Sequence, residues 1–233
     1  MITGAGSLSI SPVFPVSYRG VADWADMSTR FPSPCAGRRP TRRELPAFRG
    51  KTVDDRLPTA DTPYPVRMLI VGVNPGLWTA AVNAPFAYPG NRFWPSLDRA
   101  GIITPAIDCT AGMSDTDEQR LVDLGIGITN LVNRATARAD ELLPAELIQG
   151  WHEVVRLTGI LKPNVVTVAG ITAYRVATQQ RKAQLGTQET SIFPGWPVDT
   201  ALVVVPQPSG LNAHATIDSL AAQWQAAWEY CRD

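Results

Sequence analysis

The sequence predicts an α/β fold, a three-layer α/β/α sandwich around a central, mainly parallel sheet. Three observations lead there. Short continuous apolar runs recur along the chain, as in strands buried on both faces. Stretches with helical apolar stripes lie between them. The runs end in turn-forming segments, so strand and helix alternate, which is the pattern of a parallel sheet with helices on both faces.

The elements follow in order. Met68-Leu-Ile-Val-Gly-Val73 is a buried strand that ends in the turn Asn74-Pro-Gly76. Asn91 to Ala100 reads as a helix with Phe93, Trp94, Leu97 and Ala100 on one face and Gly101 as its stop. Ile126 to Val132 is a second strand. Pro144 suits the first turn of a helix that carries Leu147, Trp151, Val154 and Val155 on one stripe. Val165 to Ala169 is a third strand, and Gly170 opens a helix that runs through Tyr174. Leu202 to Val205 is a fourth strand, stopped by Pro206 and Pro208. A last helix from about Thr216 places Leu220, Trp224, Ala227 and Cys231 on one side.

Residues 1–65 read differently from the remainder, 66–233. They hold nine of the 20 prolines and show no sustained apolar period. An irregular, flexible or loosely packed extension is expected, with Arg38, Arg39, Arg42 and Arg43 as its basic cluster. Residues 1–62 carry nine Lys/Arg against six Asp/Glu. That excess suits either an electrostatic arm for nucleic acid or a solvated tail.

Composition narrows the function classes. Hydrophobic residues make up 45% of the 233, enough for a real core. No apolar run reaches the roughly 18–20 residues of a membrane helix, so no membrane partner is expected. No secretory signal is read at the N-terminus. Cys35, Cys109 and Cys231 lie far apart, which fits reduced thiols in a cytosolic or nuclear protein. The expected location is the cytoplasm and nucleoid in a bacterium, or the nucleus in a eukaryote. Three cysteines cannot supply a four-cysteine iron–sulfur site.

In a parallel sheet, ligands bind beyond the carboxyl ends of the strands. Three unusual segments follow strands here: Asn74-Pro-Gly, Thr129-Asn130 and Pro206-Gln-Pro-Ser-Gly-Leu211. All three should meet on one rim. That rim has no carboxylate pair, no His/Cys metal cluster and no P-loop, so neither metal nor cofactor is expected. Of the two histidines, His152 reads as structural or as a surface residue, and His214 lies where it can meet a phosphate or a base. Asn74 cannot be a general base at neutral pH, but its carbonyl can hold a water. Phe86, twelve residues on, can stack on a planar base. Such equipment suits a leaving group that departs largely by itself, as a uracil anion does. The site then stabilises charge on the base, and preorganised donors typically contribute about 3–4 kcal/mol each.

Four segments carry a family resemblance. Gly72-Val-Asn-Pro-Gly76, Pro85-Phe-Ala-Tyr-Pro-Gly-Asn-Arg-Phe-Trp94, Gly127-Ile-Thr-Asn-Leu-Val-Asn-Arg134 and Pro206-Gln-Pro-Ser-Gly-Leu-Asn212 occur in order. Together they resemble the mismatch-specific uracil/thymine DNA glycosylases, from about Arg67 to the C-terminus. The resemblance implies that Asn74 positions the attacking water and that Phe86 stacks on the flipped base. Gly72 and Val73 then contact the base edge, with Asn130 and Gln207 in support. Gly210 and Leu211 are implied as the wedge that fills the vacated space, flanked by Asn212 and His214, while Ser209 holds a backbone phosphate. Gln207 and Ala213 depart from residues common in the family, and Trp78 is bulky beside the first motif, placed either to narrow the pocket or to pack.

The resulting expectation is a monomeric, monofunctional hydrolase. It flips uracil, thymine or a modified pyrimidine, opposite guanine, from double-stranded DNA and cuts the N-glycosidic bond. With no Lys in the motif loops, no lyase step is expected. Two other readings fit parts of the sequence: a catalytically weak lesion-binding module, and a nucleotide-binding α/β protein unrelated to DNA.

Overall fold

A computed structural model describes residues 31–210, 212 and 215–232. Five strands form one sheet: β1 (Met68–Gly72), β2 (Ile126–Asn130), β3 (Val165–Ala169), β4 (Gly186–Thr187) and β5 (Ala201–Val205), in the spatial order β2-β1-β3-β5-β4. All pairings are parallel except that of β4 with β5. The predicted α/β/α sandwich is therefore present. Among the described residues, six α-helices accompany the strands: α1 (Leu77–Val82), α2 (Phe93–Arg99), α3 (Asp115–Leu124), α4 (Pro144–Leu161), α5 (Ile171–Ala177) and α6 (Ile217–Trp228).

The strands are apolar throughout because both faces are covered. Met68, Ile70, Val203 and Val205 point into a core with Phe93, Leu97, Leu121, Leu220 and Trp224, contributed by α2, α3 and α6. Leu69, Val71, Leu202 and Val204 point the other way, onto Leu147, Trp151 and Val154 of α4 and Tyr174 of α5. Alternation along each strand thus feeds two cores, and each fully buried aliphatic side chain contributes roughly 1.5–3 kcal/mol.

Some elements differ from their expected bounds. The second strand ends at Asn130 rather than Val132, because Leu131 and Val132 turn to bond the end of β1. The helix expected from Asn91 starts at Phe93, with the Asn91 side chain accepting the Phe93 N–H at 2.9 Å. The helix after Gly170 runs to Ala177, and Cys231 falls in a 3-10 turn (Glu229–Cys231) beyond α6. Three elements go unpredicted. α1 has only six residues, and β4 two. α3 is polar, and its ends carry it: the Ser114 hydroxyl caps the Asp117 N–H, and Gly125 closes it with φ 67°.

Residues 31–65 are irregular apart from a 3-10 turn at Leu45–Phe48, yet they pack rather than hang free. Arg56 and Ile128 exchange both backbone hydrogen bonds at 2.8 Å, so this segment covers the open edge of β2. The Arg56 side chain is buried and pairs with Glu118 of α3 at 2.8 Å, while also donating to the carbonyls of Asp54 and Asn83. The sequence hides this packing because Asn83, Glu118 and Ile128 are distant along the chain.

Candidate active site

The parallel register puts the carboxyl ends of β1, β2, β3 and β5 on one edge, where the three segments singled out in the sequence gather. β1 and β2 pair through to Gly72 opposite Asn130. Beyond them the backbone keeps zipping. The Leu131 N–H donates to the Gly72 carbonyl at 2.9 Å, Val132 to Val73 at 3.0 Å, and Thr136 to Pro75 at 3.2 Å.

Asn74 sits half-buried in this zipped corner. Its Nδ2 donates to the Thr136 hydroxyl at 2.7 Å, the Pro75 carbonyl at 3.1 Å and the Arg134 carbonyl at 3.3 Å. Backbone carbonyls only accept, so these contacts fix which end of the amide is nitrogen. Oδ1 is left as the acceptor that a water can use. Thr136 is itself buried, and its hydroxyl donates a hydrogen bond to the Arg138 carbonyl at 2.7 Å. The Arg134 side chain is pinned by Glu146, whose carboxyl it holds down to about 2.

Gly72, Asn130 and Phe86 meet at a floor. A methyl group on Gly72 would lie 2.4 Å from Asn130 Oδ1 and 3.4 Å from Phe86 Cζ, so only glycine lets these side chains approach the end of β1. Phe86 adopts a left-handed conformation, φ 55°, which a bulky residue enters at a cost. Its half-buried ring stacks on Phe93 of α2 with centroids 3.8 Å apart and planes 22° apart. The strained turn thereby presents an aromatic platform that is itself backed by the core.

Val73 is buried, with its Cγ2 against Gly170, and the Cβ of exposed Gln207 approaches the same glycine. The third loop therefore reaches the rim through Gln207. Ser209 is half-buried and Gly210 exposed, and Gly210 packs against the Gly90 carbonyl so closely that a methyl group there would lie 2.5 Å from it. Asn212 ties the loop internally, donating from Nδ2 to the Gln207 carbonyl and from its backbone to the Ser209 carbonyl, both at 3.0 Å. Leu211, Ala213 and His214 lie outside the described residues. Trp78 packs, with its Nε1 on the Thr110 carbonyl at 3.0 Å and its ring edge-on to Tyr88.

Two residues at this rim escaped the sequence reading. Thr136 orients Asn74 but follows the resembling segment by two positions. Arg92 lies inside a resembling segment, yet nothing in the sequence shows that its guanidinium faces the third loop. Asp55 is a third neighbour, beside Thr129 and Asn133 where β2 ends. Burial raises its carboxyl to about 6, against the hydrogen bonds from those two side chains.

Hydrogen-bonding amides, a backed aromatic and glycines that allow close approach can hold a planar, polar ring and a water beside it. A family model described as the Uracil DNA glycosylase superfamily matches residues 59–232, about three quarters of the chain.

Proposed function

Because this chain belongs to the uracil DNA glycosylase superfamily, whose members are hydrolases acting on DNA, we propose that it is a monofunctional glycosylase specific for mismatched or damaged pyrimidines. It flips uracil, or thymine or a modified pyrimidine, from opposite guanine in duplex DNA, and hydrolyses the bond at C1′.

The observation that carries this reading is the state of Asn74. With Nδ2 committed to Thr136 and two carbonyls, Oδ1 is left as the acceptor for a water. A water donating one hydrogen to Oδ1 turns a lone pair toward the sugar carbon once the base begins to leave. An amide cannot take the proton, so the base must depart with most of the bonding electrons before water adds. The water's proton then passes to solvent or to the departing base. Phe86 stacks on the flipped ring, while Gly72, Val73, Asn130 and Gln207 meet its polar edge. Charge developing on the base is thereby met by fixed dipoles. Gly210, Leu211 and Asn212 fill the space the base leaves, with His214 and Ser209 toward the phosphates. The protein acts as a monomer.

Single-turnover base release from duplexes carrying U:G, U:A or T:G, and from single-stranded uracil, tests the substrate assignment. Release is expected to be fastest from U:G. A rate that ignores the opposite base contradicts mismatch specificity. Salt-sensitive duplex binding with no release from any substrate supports a lesion-binding module instead.

A further inference from the structure

Arg92 stands at the N-terminal end of α2, one residue before Phe93, the ring that backs Phe86. Its side chain points not at an acid but at the loop after β5. Nη1 donates to the carbonyls of Asn212, at 2.9 Å, and Ala215, and Nη2 donates to the Gly210 carbonyl at 3.1 Å. Its backbone N–H donates to the Pro208 carbonyl at 2.9 Å. Close contact between Gly210 and the Gly90 carbonyl presses the same two segments together. One residue thus gathers four carbonyls spread over residues 208–215, and among the described residues it makes no ion pair.

We propose that Arg92 is a positioning residue that clamps the loop after β5 at Pro208, Gly210, Asn212 and Ala215, and so couples insertion of the loop into the duplex to capture of the base. The proposal rests on the glycosylase reading for its effect on catalysis, but the clamp itself is independent of it. Carbonyls at Gly210, Asn212 and Ala215 meet two different nitrogens of the guanidinium, and a planar fork with five N–H donors can satisfy all three at once. An ammonium group is a single point with three donors on a flexible stem, and cannot reproduce that spread. The clamp should matter where the loop must offset a lost base pair. It should matter little where no pair opposes flipping.

The test compares the unaltered chain with Arg92→Met and Arg92→Lys. Single-turnover release is measured from uracil opposite guanine, and from uracil opposite an abasic gap in the same duplex. Arg92→Met should slow the paired substrate about ten- to hundredfold and the gapped one less than about threefold, with Arg92→Lys between it and the unaltered chain on the paired substrate. Equal losses on both substrates, or no loss on either, overturn the coupling. Amide hydrogen exchange provides the second readout, and it needs no catalysis. Exchange in residues 206–215 should quicken at least tenfold in both variants, while that of β1 stays unchanged. Unchanged loop exchange overturns the clamp. If the unaltered chain releases no base from either duplex, the glycosylase reading fails and exchange alone decides on the clamp. If Arg92→Met does not fold, Arg92→Lys carries both comparisons.

Discussion

At the β1–β2 end of the rim the backbone does the holding. Leu131, Val132 and Thr136 donate to Gly72, Val73 and Pro75, extending the sheet past its last paired residues. The Asn74 amide has three acceptors around its nitrogen. At the β5 end, a loop whose described residues pair with no strand is drawn in by side chains and by the N–H of Arg92. The difference matches the two tasks proposed for them. A water must be placed within a fraction of an ångström for attack, which favours redundant, short-range bonds. A wedge must move against a duplex and return, which favours a loop held at a few points.

If the first rim is over-determined, it should survive loss of a distant support. Arg56→Ala removes one partner of the buried pair with Glu118 and leaves the backbone bonds to Ile128 in place. Breaking such a pair costs about 3–5 kcal/mol, so denaturant titration should show a loss of that order. Yet base release per folded molecule, measured well below the new melting temperature, should change less than about threefold. A collapse of the rate in folded protein would show that the rim depends on residues 31–65 after all.

A smaller effect sharpens the same point through pH. One Asp55 oxygen is buried without a hydrogen bond, and burial raises the carboxyl to about 6. A carboxyl more basic in the folded than in the unfolded chain stabilises the fold below roughly pH 4, its ordinary range. That stabilisation is lost as pH rises through about 6. Its size is about 3 kcal/mol at most, less where solvent reaches the group. Asp55→Asn should therefore flatten the fall in melting temperature between pH 4 and 7. An unaltered slope contradicts the assignment.

The smallest effect is expected at Thr136. Thr136→Val removes one acceptor from the Asn74 nitrogen and leaves two carbonyls. A neutral hydrogen bond contributes about 0.5–1.5 kcal/mol, so single-turnover release should fall roughly three- to tenfold with little change in stability. A loss near that of removing Asn74 itself would mean that Thr136, not the backbone, sets the amide.

What the sequence made legible follows from where its signals are local. Strands buried on both faces announce themselves as Met68–Val71 and Val165–Ala169 do, and a Pro-started helix with a stripe through Trp151 is equally plain. α3 escaped because it is mostly polar, with Leu121 its one fully buried residue, and its caps, Ser114 and Gly125, are the signal. The packing of residues 31–65 escaped because Arg56 finds Ile128 and Glu118 across more than sixty positions. At the site, the motif order singled out Gly72, Asn74, Phe86 and Asn130, and the register and packing set Gly72 beside Asn130 and Phe86. Thr136 and Arg92 act through contacts made only once the loops meet, so no spacing rule reaches them.

The most direct test of the account is single-turnover release of uracil from a U:G duplex at saturating protein, by the unaltered chain and by Asn74→Ala, with duplex binding measured alongside. The account predicts rapid release by the first. It predicts a loss of about 10²–10³-fold in the second, the usual size for removing one preorganised polar group from a reacting centre, with binding kept within a few fold. Equal rates in the two proteins would contradict it.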